Sequence, residues 1–131
     1  MAERRVLARL RISGFGTQTI TLEQVDAAYC LTVLEESHLT HKQSLHRAEV
    51  SAALVQERLA ALKQLTVPAF PVGYMVCDGE WVELEVVGEC SSLTIGWLSD
   101  PPKGAEGVAE FADWLREVAF GREEEQNNGN D

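Results

Sequence analysis

The spacing of apolar residues between positions 43 and 65 constrains the fold more than any other feature of the sequence. Apolar side chains recur there at alternating intervals of three and four, which places them on one stripe of an α-helix. They are Leu45, Ala48, Ala52, Val55, Leu59 and Leu62. No proline or glycine interrupts the segment, and most of its residues are good helix formers. The pattern therefore predicts a long central helix over about residues 43–65, against which the rest of the chain folds.

Before this segment, the sequence predicts a β-hairpin followed by another helix. Residues 6–12 alternate with a period of two, which is typical of a strand with one buried face. A glycine-bearing turn leads to residues 17–20, which are rich in β-branched side chains and suit a second strand. The four residues from Thr21 have the form of a capping box, so we expect a helix that begins at Thr21, with an apolar face between Leu22 and Leu34 and a weaker pattern around Ser37 to Thr40. Two antiparallel helices are favoured over one kinked helix, because their apolar faces can then meet.

The second half of the chain predicts a three-stranded antiparallel meander and a last helix. An Asp-Gly pair, which is a strong hairpin signal, separates candidate strands at residues 72–77 and 80–87. A third strand follows at residues 93–98, and two consecutive prolines then end the sheet. Apolar residues at helical spacing indicate a helix over about residues 105–120.

Together these elements predict an α+β fold: a two-layer sandwich with the order β-β-α-α-β-β-β-α and a mainly antiparallel sheet packed on helices. The sequence leaves open whether the N-terminal hairpin and the meander share one sheet. We expect a single domain over residues 1–120, a length that can bury a core without disulfides. Residues 121–131 contain nothing to pack, which predicts an acidic, flexible C-terminal tail.

Charge is distributed unevenly along the chain, whose formal net charge is −10. Residues 1–20 contain four arginines and one glutamate, whereas residues 66–131 contain three basic and fourteen acidic residues. Because nucleic acids and anionic membranes are polyanions, we expect neither as a partner. No apolar run reaches the ~20 residues that span a bilayer. A basic protein is the complementary partner, and the alternative is that the charge serves solubility alone.

Cysteine usage and the N-terminal sequence predict the compartment. Cys30, Cys77 and Cys90 are odd in number and form no CxxC pair, which fits a reducing cytosol better than a disulfide scaffold. The first residues lack the apolar segment of a secretory signal. We therefore expect a cytoplasmic protein, of a size and acidity that are ordinary in bacteria.

Residues with catalytic or metal-binding chemistry are sparse. Glu35, Glu36, His38, His41 and His46 are suitable types of zinc ligand, but their spacing is not that of an HExxH pair. Solvated polar residues at a helix end are the favoured interpretation. No histidine or cation adjoins a cysteine to activate it, and no GxSxG elbow or phosphate-binding glycine loop is present. We predict no catalytic residues, no metal and no cofactor; a small metal- or cysteine-dependent enzyme is the first alternative.

Two acidic surfaces are candidate partner-binding sites. One is a stripe of the last helix, spaced four, three and four residues apart, that consists of Glu106, Glu110, Asp113 and Glu117. In the other, Glu83 and Glu85 point to the same side of a strand as Trp81, which would anchor a partner if exposed. Alternatively, Trp81 packs under a neighbouring strand while Arg9 and Arg11 pair with the two glutamates.

These observations predict a non-enzymatic acidic module that binds a protein partner and regulates or inhibits it, as bacterial immunity and adaptor proteins do. The second alternative is a self-associating structural or assembly module. It would form a homodimer through the long helix, whose apolar stripe is wide enough to exceed what one small sheet covers.

Overall fold

A computed structural model of the chain describes residues 3–14, 16–66 and 79–121, and these contain six strands and two α-helices. The elements are β1 (Arg4–Ser13), β2 (Gly16–Val25), β3 (Ala28–Ser37), β4 (Gln43–Val50), α1 (Ala52–Lys63), β5 (Trp81–Val87), β6 (Ser92–Leu98), α2 (Glu106–Arg116) and a final π-helical turn (Glu117–Gly121). None of the helices in this part of the chain is long and apolar enough to cross a membrane.

The six strands form one antiparallel sheet with the order β4-β3-β2-β1-β5-β6. Strands β1 to β4 follow one another as a meander, and β5 and β6 form a hairpin that adds to the free side of β1. The N-terminal and C-terminal strands therefore share a single sheet, which settles the question that the sequence leaves open. The fold is α+β with an antiparallel sheet, as predicted at this level.

The hydrophobic core lies on one face of the sheet. Alternate residues of the strands face it, and the largest fully buried side chains of the strands are Leu10, Ile20, Leu22, Leu31, Val33 and Leu84. Val55 of α1 and Leu115 of α2 join the same cluster, so both helices cover this face. We call the other face, which no helix among the described residues covers, the open face.

The predicted helix from Thr21 to Leu34 is wrong, because the segment forms the end of β2 and most of β3. The strands are joined by a tight turn in which Asp26 has a φ of 56°, a left-handed conformation that Asp tolerates. Five of the ten residues of β2 are β-branched, a composition that favours a strand. Ile20 and Leu22 face the core while Thr19 and Thr21 face the other way, which is a period of two.

The long central helix predicted over residues 43–65 is not observed as one continuous helix. Gln43–Val50 is the edge strand β4, and α1 covers only Ala52–Lys63. The hydroxyl of Ser51 accepts a hydrogen bond from the backbone N–H of Leu54 at 3.4 Å, which caps the helix where the strand ends. Ser51 therefore separates β4 from α1.

The remaining predicted elements agree with the structure where it describes them. Strands predicted at residues 6–12, 80–87 and 93–98 correspond to β1, β5 and β6, and the last helix corresponds to α2 with its π-helical turn. The described order is β-β-β-β-α-β-β-α, which replaces the predicted one. The candidate strand at residues 72–77 and residues 122–131 of the predicted tail lie outside the described residues, so the predicted domain limits stay a prediction.

Candidate functional site

The open face is a broad polar surface that runs across all six strands. Directly opposite residues share a face, so cross-strand neighbours form rows over the sheet. One row, from β4 to β6, is Arg47, Thr32, Thr21, Arg9, Glu85 and Thr94. The next is Leu45, Leu34, Thr19, Arg11, Glu83 and Gly96. The middle of the face is thus made of threonines and arginines, and its margins carry the apolar side chains.

The acidic residues of β5 lie beside the arginines of β1. Arg9 is directly opposite Glu85, and Nη1 of Arg9 lies 3.2 Å from Oε1 of Glu85. Arg11 is directly opposite Glu83 in the same register. This is the pairing that the sequence offers as an alternative to a free acidic patch. Because both side chains of the Arg9–Glu85 pair are partly exposed, the pair contributes only about 0–1 kcal/mol and orients the charges more than it stabilises the fold.

Trp81 stands at the margin of the open face. Its side chain is 43 % exposed, and its indole lies across Gly96 of β6, where a Cβ would overlap the ring. Trp81 is therefore neither free in solvent nor packed under a neighbouring strand. An aromatic ring that is fixed in place yet accessible is suited to serve as an anchor for a partner.

A buried carboxylate is held at the other end of the open face. Glu23 of β2 is only 7 % exposed, although it points away from the core. Its Oε2 lies 3.1 Å from Nε of Arg4, and the hydroxyl of Thr32 donates a hydrogen bond of 3.2 Å to Oε1. These two contacts compensate the loss of solvent around the carboxylate and fix the side chains of three neighbouring strands.

The opposite margin of the open face, at β4, is apolar. Leu34 of β3 and Leu45 of β4 are direct cross-strand partners, and they are 36 % and 63 % exposed. Leu39, in the turn that joins the two strands, is 88 % exposed. Residues 43–50 belong to the predicted helix, in which Leu45 would be buried, so this apolar margin differs from what the sequence predicts.

The acidic stripe of α2 lies on the opposite side of the molecule. Glu106, Glu110, Asp113 and Glu117 are all exposed, while Val108, Phe111 and Leu115 of the same helix are buried against the sheet. Because α2 covers the core face, its stripe points away from the open face. The structure therefore separates the candidate residues into two surfaces that one flat partner cannot contact at the same time.

A cavity of about 640 Å³ opens where the helices end and the core face of the sheet becomes polar. Its floor is a cross-strand row of Ser44, Glu35, Gln18 and Ile12. On its wall, Nη1 of Arg116 donates a hydrogen bond of 2.9 Å to Oε1 of Glu80. Acidic and basic groups are mixed here, so the cavity has no single charge that selects a class of ligand.

The histidines and the two glutamates of the zinc-type cluster do not converge. Glu35 faces the core side of β3 and Glu36 the open face. Nε2 of His38 lies 3.1 Å from the hydroxyl of Thr17, His41 occupies a left-handed position in the following turn, and His46 has a buried Nε2 without a hydrogen-bond partner among the described residues. In the described part of the chain, no group of three or more His, Cys, Asp and Glu residues could hold a metal ion.

The cysteines are also dispersed. Cys30 is half-buried opposite Glu23 on the open face, and not in a helix as the sequence suggests. Cys90 is exposed in the turn between β5 and β6. Cys77 lies outside the described residues. The two described thiols therefore belong to different regions of the molecule, and neither lines the cavity.

Comparison with known proteins leaves these surfaces as the basis for assigning a function. The sequence matches no protein-family model, and no curated protein aligns with it significantly. The size, charge and accessibility of the open face and of the acidic stripe are therefore the features that bear on function.

Proposed function

We propose that the chain is a non-enzymatic interaction module that binds a protein partner through the open face and regulates or inhibits that partner. The observation that carries the proposal is an entire sheet face that no described helix covers, with the partly exposed Trp81 at its margin. A sheet packed on one side only leaves its other face available for contact. Bacterial immunity and adaptor proteins of the cytosol are the class of protein that we propose.

The area of the open face supports this choice over the acidic stripe. Six strands spaced by about 4.8 Å, each with roughly seven residues in register, present on the order of 650 Å². This is close to the ~800 Å² that each partner contributes to a stable protein complex. The eleven residues of α2 span only about 16 Å, and one helix face of that length offers far less area. The acidic stripe alone is therefore too small to hold a partner.

The polar centre and the aromatic margin have different roles in the proposed interface. Trp81 supplies apolar area at a fixed position, which is the property of residues that dominate binding energy. Arg9 and Glu85 already neutralise each other, so they fix the orientation of a partner more than its affinity. The threonines between the charges offer hydroxyl groups without the desolvation penalty of a full charge.

The acidic stripe of α2 acts at longer range in this proposal. A concentration of negative charge attracts a basic partner and raises the association rate, and the effect falls as salt increases. Reversal of Glu110 and Asp113 to lysine is expected to slow association and to weaken its salt dependence, with little change in the dissociation rate. Unchanged association kinetics in that variant would argue against a basic partner.

An enzyme is less well supported than an interaction module. The cavity contains Glu35 and the Arg116–Glu80 pair, but the histidines do not converge on it and Cys30 lies on the other side of the sheet. A self-associating module has support from a different feature, the edge strand β4.

The test is a quantitative affinity capture from extract of the source organism. Four baits are compared. They are the wild-type chain, two open-face variants (Trp81→Ala and Thr19→Glu), and Gln56→Glu on the exposed side of α1. Thr19 is opposite Arg11, so a glutamate there is compatible with the sheet, and Gln56→Glu is the control with the same added charge. We expect a partner that Gln56→Glu retains and that the two open-face variants lose by at least about tenfold. Equal retention by all four baits would refute the open face as the binding surface.

A further inference from the structure

Strand β4 lies at one edge of the described sheet. It pairs with β3 on one side, and no other strand among the described residues pairs with its second side. The strand has eight residues, no proline, and a register with β3 that is free of bulges. Proteins usually interrupt such edges, because the N–H and C=O groups along the outer side of an edge strand are a template for another strand.

Exposed leucines are concentrated at this edge, among polar side chains that are also exposed. Six large apolar side chains of the described residues are exposed, and Leu34, Leu39 and Leu45 are three of them. All three lie on β3, on β4 or in the turn between them. Addition of a strand would pair the backbone of this edge and cover its exposed leucines at the same time.

We propose that β4 pairs with β4 of a second copy of this chain, antiparallel, about a two-fold axis perpendicular to the sheet. A two-fold contact must be self-complementary, because the same residues meet in both directions. With the axis at Leu45, this residue faces its own copy, Gln43 faces Arg47, and Ser44 faces His46. The leucines at positions 34 and 45 of both copies then form one continuous apolar row across the junction.

Other registers are less favourable. An axis at Arg47 opposes two guanidinium groups, which is destabilising for directly opposite residues. An axis at His46 opposes Leu45 with Arg47 and leaves the leucines apart. An axis at Ala48 opposes Arg47 with Glu49, but it keeps Leu45 outside the junction. Burial of apolar area contributes more than an exposed ion pair in water, so the register centred on Leu45 is preferred.

The pairing joins the two six-stranded sheets into one, with both open faces on the same side. The contact is a single strand edge, smaller than a standard stable interface, so the dimer forms reversibly. This inference does not rest on the proposed function, since it depends on the edge of β4 and on a second copy of the chain, although Leu34 and Leu45 also border the open face.

Sedimentation velocity over a concentration series from low micromolar to millimolar tests the proposal. Three proteins are compared: the wild type, Leu45→Arg, and Leu93→Arg. Leu93 is a matched control, because it is 59 % exposed on β6, the other edge of the sheet. We expect the wild type and Leu93→Arg to shift from monomer to dimer, and Leu45→Arg to stay monomeric with an unchanged circular dichroism spectrum. A wild type that is monomeric throughout, or a dimer that Leu45→Arg leaves intact, would overturn the proposal.

The register is tested by cross-linking single cysteines with a short bifunctional maleimide. Leu45→Cys and Ala48→Cys are introduced separately into a background in which Cys30, Cys77 and Cys90 are serine. Directly opposite residues have Cβ atoms about 5 Å apart, so the position on the axis cross-links most efficiently. We expect covalent dimer from Leu45→Cys at several times the yield from Ala48→Cys. The reverse order would refute the register centred on Leu45.

Discussion

The indole of Trp81 lies across Gly96 of the neighbouring strand, where a Cβ would overlap Cζ2 of the ring. Trp81 is directly opposite Leu98, so the ring reaches Gly96 along the diagonal of the open face. Glycine usually weakens a strand, but here it makes room for an aromatic side chain to lie on the sheet. The consequence is an exposed anchor whose orientation is set before any partner binds, which reduces the entropy lost on binding.

Substitution of Gly96 by alanine is expected to displace the indole and to lower the free energy of unfolding by about 1–3 kcal/mol, as overpacking does. In a Trp81→Ala background the same substitution should be neutral or slightly stabilising, because alanine loses less conformational freedom than glycine on folding. Urea unfolding of the four proteins in this double-mutant cycle measures the difference. An equal loss of stability in both backgrounds would contradict the contact.

The buried carboxylate of Glu23 predicts that two similar ion pairs on the open face differ in their effect on stability. Removal of Arg4 by Arg4→Ala leaves Glu23 buried with only the hydroxyl of Thr32, which should destabilise the protein by about 1–3 kcal/mol. Arg9→Ala leaves Glu85 with access to water, so a change of less than about 1 kcal/mol is expected. Chemical denaturation of the two variants tests this order, and a larger effect for Arg9→Ala would show that the burial of Glu23 does not govern it.

Local patterns in the sequence predict the strands that have one apolar and one polar face. Alternation identifies β1 and β5, since Leu10 and Leu84 face the core while Arg9 and Glu85 face solvent. The acidic stripe of α2 follows from helical spacing in the same way. These features depend on neighbours within a few residues, which is why the sequence alone contains them.

The two wrong helix predictions, from Thr21 and over residues 43–50, have the same physical origin. A short apolar pattern can fit both the period of a helix and the period of a strand. The residues from Thr21 resemble a capping box, yet they lie inside β2, and Leu22 satisfies either a helical stripe or a strand face. Leu45 and Ala48 match the helical spacing of α1, but on β4 they point to opposite faces of the sheet. The capping residue Ser51 is the local signal that divides the segment.

Most of the candidate site depends on pairings that are distant in the chain. The sequence offers Arg9 opposite Glu85 as one possibility, but only the addition of β5 to β1 brings the two together. Burial of Glu23 requires Arg4 and Thr32 from two adjacent strands. The exposure of the leucines at β4 is a consequence of that strand's position at the edge, which no local pattern contains.

The edge position of β4 predicts different effects for two leucines. Leu31→Ala removes a side chain that is fully buried on the core face of β3, and should destabilise the protein by about 2–5 kcal/mol. Leu45→Ala should change stability by less than about 0.5 kcal/mol, because most of the side chain is already in water. Thermal unfolding at low protein concentration, where association is negligible, makes the comparison. A large loss for Leu45→Ala would indicate that this residue is buried, as in the predicted long helix.

The cap at Ser51 yields a prediction whose sign distinguishes the two descriptions of residues 43–65. If Ser51 caps α1, Ser51→Ala removes the acceptor for the N–H of Leu54 and destabilises the protein by about 1 kcal/mol. If the segment were one continuous helix, the same substitution would replace an interior serine with the best helix former and stabilise it by up to about 0.5 kcal/mol. Ser44→Ala on the exposed edge strand is the matched control, with an expected change within about 0.5 kcal/mol. Urea denaturation of both variants measures the sign of the change in the free energy of unfolding. Increased stability of Ser51→Ala would support one continuous helix over residues 43–65.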